Sequence, residues 1–310
     1  MHEHKQNQCK RKVKNRKNVV GLIIFCITVG IVFLYAYYQN LRKEIDARQK
    51  WLETDGKMGI YRKESGKLIY KEKVDSEDGY LGMYLFLMGK YLEKTENTDL
   101  PEYWKKGISL ALKKIQSLMR DGITQVSEEN TTAYLMDNLE VWKGLHELEL
   151  AGLEDTQAIS EMRKKIQEQI EKIFWDDANQ RWRIIGNSDL YHQAEFYPDG
   201  VAQIYPLIYE FPVKEKKKQK ILYDQFTEKF QWQKLNKKRN GFLWAMTGMA
   251  AAQMGDINNL VELIENYETE YCENRKYPLY TGEAGWICME CEKLYRLYER
   301  KIKTGFILCA

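Results

Sequence analysis

From Ser76 onward the apolar residues recur with a 3.6-residue period, and the helices this predicts alternate between two kinds. The expected spans lie near 78–94, 102–120, 131–150, 155–174, 197–211, 215–230, 241–254, 257–270 and 282–302. Those at 102–120, 155–174, 215–230 and 257–270 are amphipathic and rich in Lys and Glu, so each needs a solvent face. The others are poor in charge, as in YLGMYLFLMGKYL, GVAQIYPLIYE and GFLWAMTGMAAAQM. A helix that is apolar nearly all round is buried on both sides. Alternating buried and half-exposed helices predict an inner ring wrapped by an outer ring, an all-α fold of the α/α toroid type over 76–310. Five inner helices are visible where a full toroid has six. A sixth pair drawn from 41–60, or an incomplete ring, both fit. FWDDANQRWRIIG reads as a small β-hairpin with its turn at 177–180.

Ahead of this body, residues 19–38 (VVGLIIFCITVGIVFLYAYY) carry no charge, enough helix to cross a hydrocarbon core of about 30 Å. Seven Lys and Arg against one Glu precede the run within residues 1–18, which predicts a basic cytoplasmic tail. Tyr35, Tyr37 and Tyr38 suit the far interface. A cleavable signal would have an apolar region of about 7–15 residues and small residues at the cut, so an uncleaved single-pass anchor in the plasma membrane is expected. The stretch 39–75 is polar and interrupted by Gly56, Gly59 and Gly66. It reads as a membrane-proximal helix and a lead-in with short extended pieces such as 67–70.

From position 39 onward the chain has 41 basic and 44 acidic residues, so no positive body exists to hold nucleic acid. Cys272, Cys288, Cys291 and Cys309 would lie outside the membrane. Cys288 and Cys291 form a C-x-x-C without a surrounding βαβ pattern, which favours two small hydrophobes on one helix face. A disulfide from Cys272 to either is open. The external histidines, His146 and His192, are not at ligand spacing from a Cys pair, so no metal is implied. The run KEKKKQK at 214–220 opens an outer helix and reads as a solvated face.

What precedes each inner helix carries the functional signal. The five lead-ins read DSEDGY, TTAYLMDN, EFYPDG, KKRNGF and YTGEAGW. Each joins a carboxylate or amide to an aromatic residue, and in a toroid all five converge at one end. Helix capping explains the small polar residues and the acids. It does not require the aromatics. Rings that stack on sugar faces, with acids beside them, are what glycosidic-bond chemistry needs.

These residues resemble the six-hairpin glycosidases, and most closely glycoside hydrolase family 8, which cleaves β-linked polysaccharides with inversion. The family pattern Ser-Glu-Gly-x-x-Tyr-Gly-Met is matched by Ser76, Glu77, Gly82 and Met83, with Asp78 in place of a Gly and Tyr80 one position early. The segment TAYLMDNLEVWKGL at 132–145 is similar to the family's Asp-rich stretch. The resemblance implies Glu77 as proton donor and Asp137 as the residue that supports the sugar in the transition state. The family's base precedes an Arg-x-Pro-Trp element. KKRNGFLWAM offers Arg239, Asn240 and Trp244, with no acid between Glu228 and Asp256. Asp199 and Glu283, each opening a later inner helix, are the spare candidates for base.

On this reading Asp78, Tyr80, Tyr134, Tyr197, Arg239, Asn240, Trp244 and Trp286 would bind substrate. Trp142 lies a full turn inside its helix and reads as packing. No cofactor is implied. The partners are a polysaccharide, the membrane and an exopolysaccharide-exporting machine. The alternative is a toroid without catalysis, serving as a polysaccharide-binding or assembly subunit of such a system. A lyase or epimerase on uronic-acid polymers is a third reading, on Tyr191, His192 and Arg239.

Overall fold

The computed structural model describes residues 58–95, 100–153, 156–186, 188, 195–235, 244–275 and 281–307, with the backbone alone for 61–63, 68, 281 and 301–307. The apolar run 19–38 and the membrane-proximal helix lie outside these residues. Among the described residues no helix is long and apolar enough to cross a membrane. The described chain is mostly helical with only short strands. It forms two compact units that divide between Gln231 and Trp232.

The first unit opens with an antiparallel hairpin, β1 (Gly59–Glu64) and β2 (Lys67–Lys73). Its two turn residues, Ser65 and Gly66, have φ of 48° and 81°, the doubly positive turn whose twist matches that of the paired strands. Among the described residues six α-helices follow: α1 (Glu77–Thr95), α2 (Glu102–Leu118), α3 (Leu135–Leu150), α4 (Thr156–Phe174), α5 (Val201–Ile208) and α6 (Lys216–Phe230). They form three helical hairpins. In the first, Tyr91 meets Trp104 at 5.0 Å between ring centroids, while Lys114 returns to Glu77. In the second, Arg163 pairs with Glu149, and Gln167 accepts the Trp142 indole N–H at 3.2 Å. In the third, Gln219 donates to the Gln203 carbonyl at 2.7 Å, and Phe226 packs on Phe196. The second helix of each pair therefore runs back along the first.

The charge-poor helices run in one common direction. Along α1, Gly79, Gly82 and Gly89 face Glu140, Val141 and Glu147 of α3 in that order. Gly144 of α3 lies against the Gly82 carbonyl. A Cβ on Gly82 would come within 2.6 Å of the Val141 nitrogen, so glycine is what lets these two backbones approach. Along α5, Tyr205 reaches Glu140 while Glu210, just past the helix, reaches Lys143. In α1, α3 and α4 the division of labour between helices is the expected one, whereas α9 (Thr281–Ile307), expected to be an inner helix, has only Glu290 and Leu294 buried among its described side chains. In α4 only Ile159, Ile166, Ile170 and Phe174 are buried, a single stripe, whereas α1 and α3 are buried over most of their surface.

Two short hairpins link the pairs. β5 (Trp175–Asp176) and β6 (Arg181–Trp182) flank the turn expected at 177–180. β3 (Met119–Arg120) and β4 (Ile123–Thr124) stand where the apolar period predicts the end of a helix running to 120. The helix stops short because Asp121 and Gly122 both take positive φ, 51° and 87°. The expected helix at 197–211 is shortened to α5, entered through a π turn over Phe196–Gly200.

The second unit holds a 3₁₀ turn (Trp232–Lys234), α7 (Thr247–Met254), α8 (Ile257–Tyr267), a π segment (Glu268–Glu273) and α9 (Thr281–Ile307). Gly255, at φ 70°, ends α7, and Asp256 caps α8 by accepting the Asn259 N–H at 3.2 Å. Glu283 and Glu290 of α9 meet Ala245 and Gly248 in that order, so α9 runs alongside α7 in the same direction. No disulfide joins Cys272 to Cys288 or Cys291.

Candidate active site at the N-termini of α1 and α3

Ser76 caps α1: its Oγ accepts the Gly79 N–H at 3.2 Å and donates to Asp78 Oδ1 at 3.0 Å. Asp78 Oδ2 accepts from Thr124 Oγ1 at 2.7 Å. Thr124 belongs to β4, and Asn138 of α3 grips its backbone from both sides. The Thr124 N–H donates to Asn138 Oδ1 at 2.8 Å, and Asn138 Nδ2 donates to the Thr124 carbonyl at 3.1 Å. The short β3–β4 hairpin thus ties the start of α1 to the start of α3. On its other flank, α3 is entered in extended conformation through Tyr134, which bridges to Ile185.

This framing brings four carboxyls together: Asp75, Asp78, Asp137 and Glu140. A Cβ placed on Gly79 would sit 2.7 Å from Glu140 Oε2, 2.8 Å from Ser76 Oγ and 3.3 Å from Asp137 Oδ1. The three oxygens converge over a glycine that has no side chain to exclude them. Burial, reinforced by the charges of Asp78 and Glu140, pushes the Asp137 carboxyl up to about 8. Burial likewise pushes Glu140 up to about 7, against the hydroxyls of Tyr205 and Tyr209, which donate to its Oε1 at 2.7 and 3.4 Å. Burial raises Asp78 as well, despite its two hydroxyl donors.

The rim is more open. Asp75 is exposed, Tyr134 is half-buried and Tyr197 keeps 38% of its surface. Tyr197 feels the charges of Asp137, Asp75 and Glu140, and with burial leading these hold its phenol above the usual range. Asp75 also lines an adjacent cavity of about 470 Å³ with Tyr70, Lys73, Glu77, Lys114 and Asn130. There Glu77 lies 3.4 Å from Lys114, which also pairs with Glu128 at 2.7 Å. Burial raises Glu77 while Lys114 opposes the rise.

The expected site residues therefore separate. Asp137, Tyr134 and Tyr197 come together with Asp78. The Asp78 carboxylate is fully buried and already bonded, so its action on a ligand passes through its neighbours. Glu77 answers to Lys114 and Glu128, whereas Asp137 answers to Asp78, Glu140 and Asp75. Tyr80 is 39% exposed on α1. Asp199 sits in the π turn with Tyr197, and its carbonyl accepts from Gln203 at 3.2 Å. Glu283 belongs to the second unit, where its Oε2 accepts the Ala245 N–H at 2.9 Å and the Tyr267 hydroxyl at 2.7 Å. Trp244 and Trp286 are half-buried in that unit. Arg239, Asn240, Tyr191 and His192 lie outside the described residues.

Four participants are not singled out by the sequence: Asp75, Glu140, Tyr205 and Tyr209. The sequence does carry a signal for Glu140, which stands three residues after Asp137 on a helix that is otherwise nearly apolar. Among the described residues no group of side chains has metal-holding geometry. No known protein family matches the chain, and no curated protein is significantly similar to it.

Proposed function

We propose that this chain is a membrane-anchored glycoside hydrolase of the six-hairpin, family 8-like type, acting on a β-linked polysaccharide outside the cell. The observation that carries the reading is Asp137. Its carboxyl, pushed up to about 8 by burial and by the charges of Asp78 and Glu140, stands beside a half-open rim of Tyr134 and Tyr197. A carboxylic acid neutral at working pH is what must protonate a leaving glycosidic oxygen. Glu77, assigned that role by the family resemblance, is also raised by burial and opens on the neighbouring cavity. Asp75, exposed within the influence of Asp137, is the group that would take the proton from an attacking water. The parallel run of α1, α3 and α5, each backed by a returning amphipathic helix, supports a toroid as the architecture. Residues 19–38 supply the anchor.

A second reading, polysaccharide binding without cleavage, is favoured by Glu283. That spare candidate for base is already engaged by Ala245 and Tyr267. The full-length chain, Asp137→Asn, Glu77→Gln and Asp75→Asn would be assayed for reducing ends released from β-glucan, xylan, chitosan and amino-sugar polymers. Loss of release in Asp137→Asn, by about 10²–10⁴-fold with binding retained, supports the assignment of the acid. Loss in Glu77→Gln alone moves the role to Glu77. Binding without release in every form establishes the second reading.

A further inference from the structure

Hairpin β1–β2 carries exposed apolar side chains. Ile60, Ile69 and Tyr70 keep 39%, 40% and 51% of their surfaces. Residues 59–73 carry five Lys and Arg against two Glu. Lys67 and Lys71 are exposed, and the Lys71–Glu64 pair at 2.9 Å is itself open to solvent. The root is held by buried Met58 and Gly59 and by Lys73, which pairs with Glu129 at 3.0 Å, and Tyr70 lines the cavity beside Glu77 and Lys114.

Side chains alternate along a strand, so Lys67, Ile69 and Lys71 share one face of β2 while Tyr70 lies on the other. A basic face with an apolar chain between its cations suits anionic lipid headgroups, the cations meeting the phosphates. The position in the chain agrees. β1 begins at Gly59, and the apolar run ends at Tyr38. The intervening residues span about 30 Å if helical and about 70 Å if extended. The hairpin is therefore within reach of whatever membrane the run enters.

We infer that hairpin 59–73 docks on the anionic headgroup surface of the membrane in which residues 19–38 are anchored. The inference rests on the anchor proposed above. Because only Val74 separates β2 from Asp75 and Ser76, docking holds the start of α1, and the carboxyl cluster beside it, close to the membrane surface.

The test is amide hydrogen exchange on the full-length chain in nanodiscs of phosphatidylcholine alone and of phosphatidylcholine mixed with phosphatidylglycerol. Exchange over 59–73 is expected to slow by about tenfold in the anionic discs. The slowing should fade at high salt and disappear in the double variant Lys67→Glu with Lys71→Glu, while α3 keeps wild-type protection as proof of folding. A chain that enters the discs but exchanges equally in both lipids overturns the docking and leaves the anchor standing. A chain that does not enter the discs overturns the anchor, and the docking with it. Slowing that survives the charge reversal overturns the docking too.

Discussion

Glu140 lies one helical turn beyond Asp137 on α3, and the oxygens of both converge on the space left by Gly79 of α1. Two carboxyls this close, half-buried and turned away from water, do not readily both ionise near neutral pH, so the pair holds protons that an unfolded chain would already have released.

That storage sets a pH dependence. Asp137 rises from 3.8 to about 8 and Glu140 from 4.5 to about 7 on folding. The folded chain binds more protons than the unfolded one between those limits. The contribution to stability is thus whole below about pH 4 and is lost as pH climbs through about 7–8. Calorimetric melting of wild type is expected to show a falling Tm across this range. Asp137→Asn, which keeps the neutral form, should show a shallower fall and melt about 2–4 °C above wild type at pH 9. Parallel curves would show that Asp137 ionises normally.

Tyr205 restrains the rise at Glu140 by donating to its carboxylate at 2.7 Å. Tyr205→Phe removes that donor and leaves the longer bond from Tyr209. The Glu140 carboxyl should then titrate at higher pH than in wild type, read by carbon-13 NMR of the side chain. The fold should lose about 1–3 kcal/mol for the weakened acceptor. A titration unmoved by the substitution would show that Tyr209 does the work alone.

The glycines of α1 are positional. A Cβ on Gly82 meets the Val141 nitrogen at 2.6 Å, and backbone cannot step aside as a flexible side chain can. Gly82→Ala is expected to cost about 1–3 kcal/mol in urea unfolding. Gly282→Ala is the control: it meets nothing within 4 Å and lies in the first turn of α9. It should be neutral or stabilising by up to about 1 kcal/mol.

At the other end of α3, Lys143 is buried between Glu147 at 2.8 Å and Glu210 at 3.0 Å, with Lys90 also on Glu147 at 2.8 Å. Lys143→Met strips a cation from a carboxylate that is 3% exposed. Removing one partner of a buried pair costs about 3–5 kcal/mol, far more than a surface pair would. The double variant Lys143→Met with Glu147→Leu should recover much of that loss. Failure to recover would mean that the loss lies in Glu210, left without Lys143, or in Lys90, left without Glu147.

The alternation of helix types and the 177–180 turn are both legible in the sequence. Each is written in a contiguous stretch: a helix apolar all round declares its burial without reference to its neighbours. The β3–β4 hairpin is not legible in the same way, although Asp121–Gly122 is a turn dipeptide, because the apolar period of α2 continues almost to that point. The carboxyl cluster is half legible. Asp137, Tyr134 and Tyr197 stand out beside helix starts, whereas Tyr205 and Tyr209 look like core.

Glu77 and Asp78 mark where local pattern stops being informative. They are adjacent, both acidic and both in the first turn of α1. One residue of helix turns the side chain by about 100°, so neighbours in sequence enter different surroundings. Glu77 turns to Lys114 on α2, while Asp78 turns to Thr124 and to the acids of α3. Helical period and capping chemistry are enough to gather acids and tyrosines where the charge-poor helices begin, because both act over a few consecutive residues. Which of those acids share one buried volume is settled by the packing of α1 against α3. A carboxyl's proton affinity depends on desolvation and on charges from residues tens of positions away, and neither is written in the residues next to it.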